Sequence, residues 1–234
     1  MSPLAATVRL DVTVQARSQL YSIGVGVAVA FGLFARFLIG PEHAAKGAPI
    51  LYLLSIGGTT YMFGAAMVLL EKSQGTLDAL RTSPLRRHTY LTSKLVTLTG
   101  FAALEGAIMH AVGFWGVGFS PLPLVVGVLT LGVLNTLVGL GQVAPHDSLF
   151  SFLVPGAMIV GSALQWPFLG AMDLGPAWVW MLFPTQGPLL LMLGAFEPLS
   201  TGQWVFACAS TAVWIAVAAI WASRRFATHI GLGD

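Results

Sequence analysis

The chain has 234 residues, of which 56% are hydrophobic and 9% charged, with a formal net charge of +2. A soluble chain of this length would carry roughly 58 charged side chains; this one has 11 Lys plus Arg and 9 Asp plus Glu. That is too few to cover a water-facing surface, which excludes a cytosolic enzyme, a disordered tail and a nucleic-acid-binding domain and makes lipid the expected solvent.

In chain order, residues 1–19 place Arg9, Asp11 and Arg17 among Leu10, Val12 and Val14, the pattern of an amphipathic helix at a bilayer surface. Six apolar stretches follow, at 20–39, 51–70, 95–119, 122–143, 149–169 and 204–221, each near the ~20 residues a crossing needs. Turn and breaker residues separate them: Gly40-Pro41, Pro49, Ser120-Pro121, the run from Ala144 to Ser148, and Ser200-Thr201-Gly202. Residues 170–203 are apolar but interrupted by Pro176, Pro184, Pro188 and Pro198, so their short pieces are expected to be re-entrant or interfacial. Trp178 and Trp180 suit the interface. Ala28-Val29-Ala30 looks like a signal cleavage site, but cutting there would leave an apolar stump up to Phe37. The expected fold is therefore an all-α integral membrane protein: one permease-like domain over 1–234, six transmembrane helices, an N-terminal interfacial helix and a broken segment between the fifth and sixth spans.

Nine of the eleven basic residues, including Arg9, Arg17, Lys72, Arg86, Arg87, Lys94, Arg224 and Arg225, fall on one side of such a topology. The positive-inside rule makes that side cytoplasmic, with both termini inside an inner or plasma membrane. Arg36 and Lys46 remain outside, with Asp173 and Glu197 on the longest outer segment. Cys208, the lone cysteine, is read as a packing residue.

Residues 71–94 form the longest polar stretch. Thr76 to Arg81 reads as a short helix ended before Pro84, with Leu77 and Leu80 on one face, and a second helix starts near Arg86 or Arg87. The order is specific: Glu71 leaving a span, Gly75-Thr76-Leu77-Asp78-Ala79-Leu80, then Ser83-Pro84-Leu85-Arg86, then Lys94 entering the next span. Read without that order, it is a cytoplasmic loop whose basic residues hold orientation against anionic lipid.

With that order, the segment resembles the cytoplasmic loop of type-2 ABC exporter permeases, most nearly the drug-export branch. The resemblance implies a coupling helix that docks on a separate ATP-binding subunit, with Glu71, Gly75, Thr76, Leu77, Asp78, Leu80 and Pro84 at the matching positions and Lys94 at the basic residue that opens the third span. The leucine face would insert into a groove and transmit a rigid-body push. The resemblance further implies two permease units, identical or sister, with two copies of the ATP-binding subunit. The chain carries no phosphate-binding loop, so ATP and Mg would be bound by that partner and the chain itself would hold no cofactor. A haem-exporter permease of cytochrome c maturation is the nearest alternative, although the Gly-Ser-Leu-Glu and consecutive Leu-Pro steps of its loop are not found in residues 71–94. A non-transporting membrane scaffold and an intramembrane enzyme using Glu105 and His110 are the rivals from other classes.

Inside the spans, Glu105 is a candidate for the cargo pathway or for helix pairing, and His110, five residues on, is not its ideal helical partner. Asn135 and Gln165 are candidates for bonds between helices. Gly24, Gly26, Gly32, Gly132 and Gly139 permit close helix approach. His146-Asp147 occurs in a short turn without a nucleophile, and catalysis is not expected.

Overall fold

Ser2 caps the first helix, α1 (Pro3–Arg17): its hydroxyl accepts from the Ala5 amide at 3.3 Å, and Pro3 lacks only a donor that a first turn leaves idle. The computed structural model describes residues 2–81 and 85–231, and no strand occurs among them. Thr7, Asp11 and Gln15, spaced four apart and so on one face, are buried, whereas Leu10 is 52% exposed. The helix is amphipathic as expected, but the stripe Thr7, Asp11 and Gln15 faces the protein, Val14 packs beside it, and Leu10 and Val12 face outward.

Gln19, at φ +61°, turns the chain into α2 (Leu20–Phe34), which widens into a π turn over Ala35–Ile39 and stops at Gly40-Pro41. α3 (Ala44–Ser73) follows. Pro49, read as a boundary, lies inside it near the N-terminal end, where one missing amide leaves a single carbonyl unserved. Gly75, at φ +68°, then turns the chain into the short α4 (Thr76–Arg81), as expected. α5 (Arg87–Gly113) runs without a break from the polar segment into the membrane; it ends six residues before the expected Phe119, where Phe114 and Gly116, at φ +84°, break the helical dihedrals. α6 (Pro121–Val143) starts on a proline at its first position.

Among the described residues five helices are long and apolar enough to cross a membrane: α2 with its π turn, α3, α5, α6 and α11 (Thr201–His229). The expected fifth span is different. It forms α7 (Leu149–Ile159), 11 residues containing Pro155, then a π turn over Val160–Leu164, and restarts at Pro167 as α8 (Pro167–Ala171). The two prolines and the π turn interrupt the regular backbone ladder, so no single long helix forms. The Pro-rich segment gives α9 (Ala177–Trp180) and α10 (Gln186–Leu193). Leu189, Leu191 and Met192 of α10 are buried and α10 packs on α6 and α11, whereas Trp178 is 66% exposed.

α3 and α6 form the centre of the bundle. Their approach needs Gly139, where a Cβ would lie 2.4 Å from the Tyr61 carbonyl oxygen. Gly24, Gly32 and Gly132 also sit against neighbouring helices, but Gly26 faces open space. α11 buries Ala207, Thr211, Ala218, Ala222 and Phe226. Its helical period turns Cys208 away from that stripe, so the cysteine is exposed and not the packing residue expected. Large apolar side chains such as Phe37, Leu122 and Phe150 cover the outside, as lipid requires. At one end of the bundle Lys46 pairs with Asp173, closing α3 onto the turn after α8.

Candidate functional site

The polar segment sits on a buried ion cluster at the other end of the bundle. Lys94 Nζ donates to Asp11 Oδ1 on α1 and to Glu71 Oε1 on α3, each at 2.5 Å. Ser93 Oγ donates to Asp11 Oδ2 at 2.5 Å, and the Tyr90 hydroxyl donates to Glu71 Oε2. Lys94 is 0% exposed, Asp11 2% and Glu71 7%. Buried charges persist only when paired and hydrogen-bonded, and here all four carboxylate oxygens have a donor. Tyr90, Ser93 and Lys94 lie within two turns of α5 and so reach both carboxylates, while the ammonium also sits 4.7 Å from the Tyr90 ring centroid. One lysine thereby fastens α1, α3 and α5 together.

A second set of bonds extends the clamp. Gln15 Nε2 donates to Thr97 Oγ1 at 2.8 Å, and the Tyr21 hydroxyl donates to Gln15 Oε1 at 2.7 Å. At the end of α3, Lys72 donates to the carbonyls of Ala144 and His146 at 2.8 and 2.7 Å and to Asp147 Oδ1 at 3.2 Å, tying down the turn between α6 and α7. His146 and Asp147 thus belong to a structural turn. Burial, with Lys72 and Arg225 nearby, holds the His146 imidazole below its ordinary value.

The coupling positions divide. Gly75 and Thr76 start α4, but Leu77 is 3% exposed and belongs to the core cluster with Tyr90, Leu91, Val143 and Phe226, and Leu80 packs partly against the same cluster. Leu77 is therefore turned into the chain's own core, while Leu80 sits at its edge. An apolar face next to the cluster's uncovered end is buried more favourably there than in water. Glu71 likewise points inward, to Lys94 and Tyr90. Of Asp78 only the backbone, within α4, is described, and Pro84 lies outside the described residues. Beside α4, a cavity of about 580 Å³ opens between it and α1, lined by Leu10, Val14 and Leu80 over Asp11, Glu71 and Lys94.

The intramembrane candidates fall into two groups. Glu105 is 0% exposed and accepts from Ser55 Oγ and Thr59 Oγ1 of α3, both at 2.6 Å. His110 bonds instead to the Tyr52 hydroxyl, with Nδ1 at 3.0 Å, so both residues join α5 to α3 and they do not pair with each other. Asn135 and Gln165 come together at Gly57, where a Cβ would lie 3.5 and 3.4 Å from their amide nitrogens. Asn135 Nδ2 donates to the Leu131 carbonyl of its own helix, and the side-chain oxygens of Asn135 and Gln165 have no partner among the described residues. Sequence reasoning found Glu71 and Lys94 but missed Asp11 as their partner; the signal was the four-residue spacing of Thr7, Asp11 and Gln15. Among the described residues no group of three or more His, Cys, Asp or Glu could hold a metal ion.

Residues 2–231 match the model of the fluoroquinolones export permease protein family. The fluoroquinolones export permease proteins of two Mycobacterium tuberculosis strains, CDC 1551 / Oshkosh and ATCC 25618 / H37Rv, are each 30% identical to it over 207 residues, covering 87% of this chain and 85% of theirs. With its polar segment seated between two long membrane helices, the chain belongs to the fluoroquinolones export permease family and is a multi-pass permease of the type-2 ABC exporter class.

Proposed function

We propose that the chain is the membrane half of an ATP-driven exporter that moves an amphipathic or apolar small molecule outward. ATP and Mg are bound by a separate ATP-binding subunit, and two permease units, identical or sister, work with two such subunits. The relatives are named for fluoroquinolone export, and cargo of that amphipathic aromatic kind suits an apolar bundle with few intramembrane charges. The basic residues at the polar-segment end support a cytoplasmic position for that end and for both termini. The segment α7, its π turn and α8 serve as an interrupted fifth crossing, and the buried α10 serves as the re-entrant piece.

The observation that carries this reading is the Lys94 clamp beneath α4. A push on α4 from the ATP-binding subunit acts through Glu71 and Lys94 on α1, α3 and α5 at once, because the three helices share one buried ion cluster. The unpartnered oxygens of Asn135 and Gln165 beside Gly57 suit a cargo path that opens between α3, α6 and α7, since buried polar atoms without partners cost free energy in a closed state.

The test is gentle isolation of the tagged chain from its own membranes, followed by identification of what remains bound. An ATP-binding subunit in equal stoichiometry, with ATP-dependent export by the reconstituted complex, is the expected result. Recovery of the chain alone, under conditions that keep other membrane complexes whole, would replace this reading with the scaffold one.

A further inference from the structure

In its last two turns α11 carries two adjacent arginines, Arg224 exposed and Arg225 half-buried, that neither the clamp nor the path beside Gly57 uses. Neither forms an ion pair among the described residues, and the buried Nε of Arg225 has no hydrogen-bond partner there. Lys72, at the end of α3, is by contrast satisfied by two carbonyls and Asp147. Arg225 lies close enough to His146, in the turn between α6 and α7, to oppose its charge. The guanidinium is also held in place. Gly141 of α6 leaves room for the Trp221 indole, which a Cβ there would strike, and the Arg225 guanidinium carbon sits 5.6 Å from the centroid of that ring. A guanidinium resting on an aromatic face keeps its in-plane donors free, so this one is pre-set for an acceptor that the described residues do not supply.

The helix face that leads to this pair is apolar. Val213, Val217, Ile220 and Arg224 recur at the spacing of a single helix face, and all of them are exposed. From Val213 to Arg224 the helix rises about 16 Å, which is about half of a hydrocarbon core some ~30 Å thick and so the depth of one leaflet. An apolar stripe of that length, ending in two cations without counter-charges, has the layout of a lipid: a chain below and an anionic headgroup above.

We propose that this end of α11 is a binding site for an anionic phospholipid: Arg224 and Arg225 hold the headgroup phosphate, and an acyl chain lies along Val213, Val217 and Ile220. Two guanidiniums outmatch the charge of one phosphodiester, which favours a headgroup that carries no cation of its own. An inorganic phosphate would leave the apolar stripe unused, and an acidic face of a soluble partner would not reach below the membrane surface. Binding here requires no nucleotide and no partner subunit, so its failure is separable from failure of the exporter reading.

Native mass spectrometry of the delipidated full chain in detergent, titrated with dioleoyl phosphatidylglycerol or dioleoyl phosphatidylcholine, is the test. The first phosphatidylglycerol should bind about tenfold more tightly than phosphatidylcholine, whose trimethylammonium the arginines repel. Arg224→Gln combined with Arg225→Gln should weaken phosphatidylglycerol about tenfold and leave phosphatidylcholine within about twofold. Arg17→Gln, which removes an exposed charge from α1, should change neither by more than about twofold. If the double variant does not insert into the membrane, Arg224→Gln, at an exposed side chain, decides with an expected loss of about fivefold. Equal binding of the two lipids, or an equal loss in Arg17→Gln, overturns the site and means that the lipid responds only to overall charge. Displacement of phosphatidylglycerol by inorganic phosphate in about tenfold excess overturns the lipid assignment and leaves a bare anion site. Unchanged phosphatidylglycerol binding in a double variant that no longer co-isolates with an ATP-binding subunit overturns it too, and assigns the arginines to an acidic face of that subunit.

Discussion

Lys94 Nζ and Asp11 Oδ1 lie 2.5 Å apart although 83 residues separate them in the chain, and the contact is closed to solvent. The same ammonium holds Glu71, so one cation balances part of the charge of two buried carboxylates from two other helices. Lys94→Met leaves both carboxylates without their cation, and a loss of about 3–5 kcal/mol is expected. Adding Asp11→Asn and Glu71→Gln to Lys94→Met should recover most of it. Thermal unfolding of the purified variants tests this, and equal instability of the single and triple variants would show that the clamp is not one energetic unit.

Leu77 is buried in the core shared with Tyr90 and Phe226. Leu77→Ala should therefore lower stability by about 2–5 kcal/mol, the range for truncating a buried leucine. A variant of unchanged stability that nonetheless loses the ATP-binding subunit would mean that Leu77 faces the partner and not the core.

The contact of α3 with α6 depends on Gly139. Gly139→Ala places a methyl 2.4 Å from the Tyr61 carbonyl oxygen, while the same change at Gly26 meets nothing within 4 Å. The first should cost about 1–3 kcal/mol and the second almost nothing. Melting temperatures of the two variants side by side make the comparison.

Glu105 accepts from two hydroxyls, and an amide can replace it by letting one hydroxyl rotate and accept instead. Glu105→Gln should keep near-normal stability and export. Glu105→Ala should lose about 0.6 kcal/mol for each bond. Normal stability with abolished export in the Gln variant would transfer Glu105 from helix pairing to the cargo path.

His146 titrates below its ordinary value of 6.5 because burial, Lys72 and Arg225 oppose its charge. The unfolded chain therefore takes up the proton first as pH falls. The stability this group contributes is complete above about pH 6.5 and is lost as pH drops through that value toward the lower folded one. His146→Gln should flatten the fall in melting temperature between pH 7.5 and pH 5.5; an unchanged slope would assign it to other groups.

Composition and apolar run length by themselves determined that the protein is helical and membrane-embedded, because a bilayer leaves the backbone no solvent partner and sets the length of a crossing. Local chemistry placed α4, the start of α5 and the proline start of α6, since Gly75, Pro121 and the polar run act within a few residues. The interruption at α7 was not legible, because hydropathy averages over Pro155 and Pro167 while backbone hydrogen bonding does not. The tertiary structure alone decided which polar groups meet. Asp11, Glu71 and Lys94 were each visible as charged residues, but a buried charge is stabilised by whatever partner the packing of three helices brings within hydrogen-bond reach. It also decided that Leu77 turns inward and that Glu105 and His110 find hydroxyls on α3 in place of each other, because side-chain direction follows the rotation of each helix about its axis, which packing against its neighbours sets.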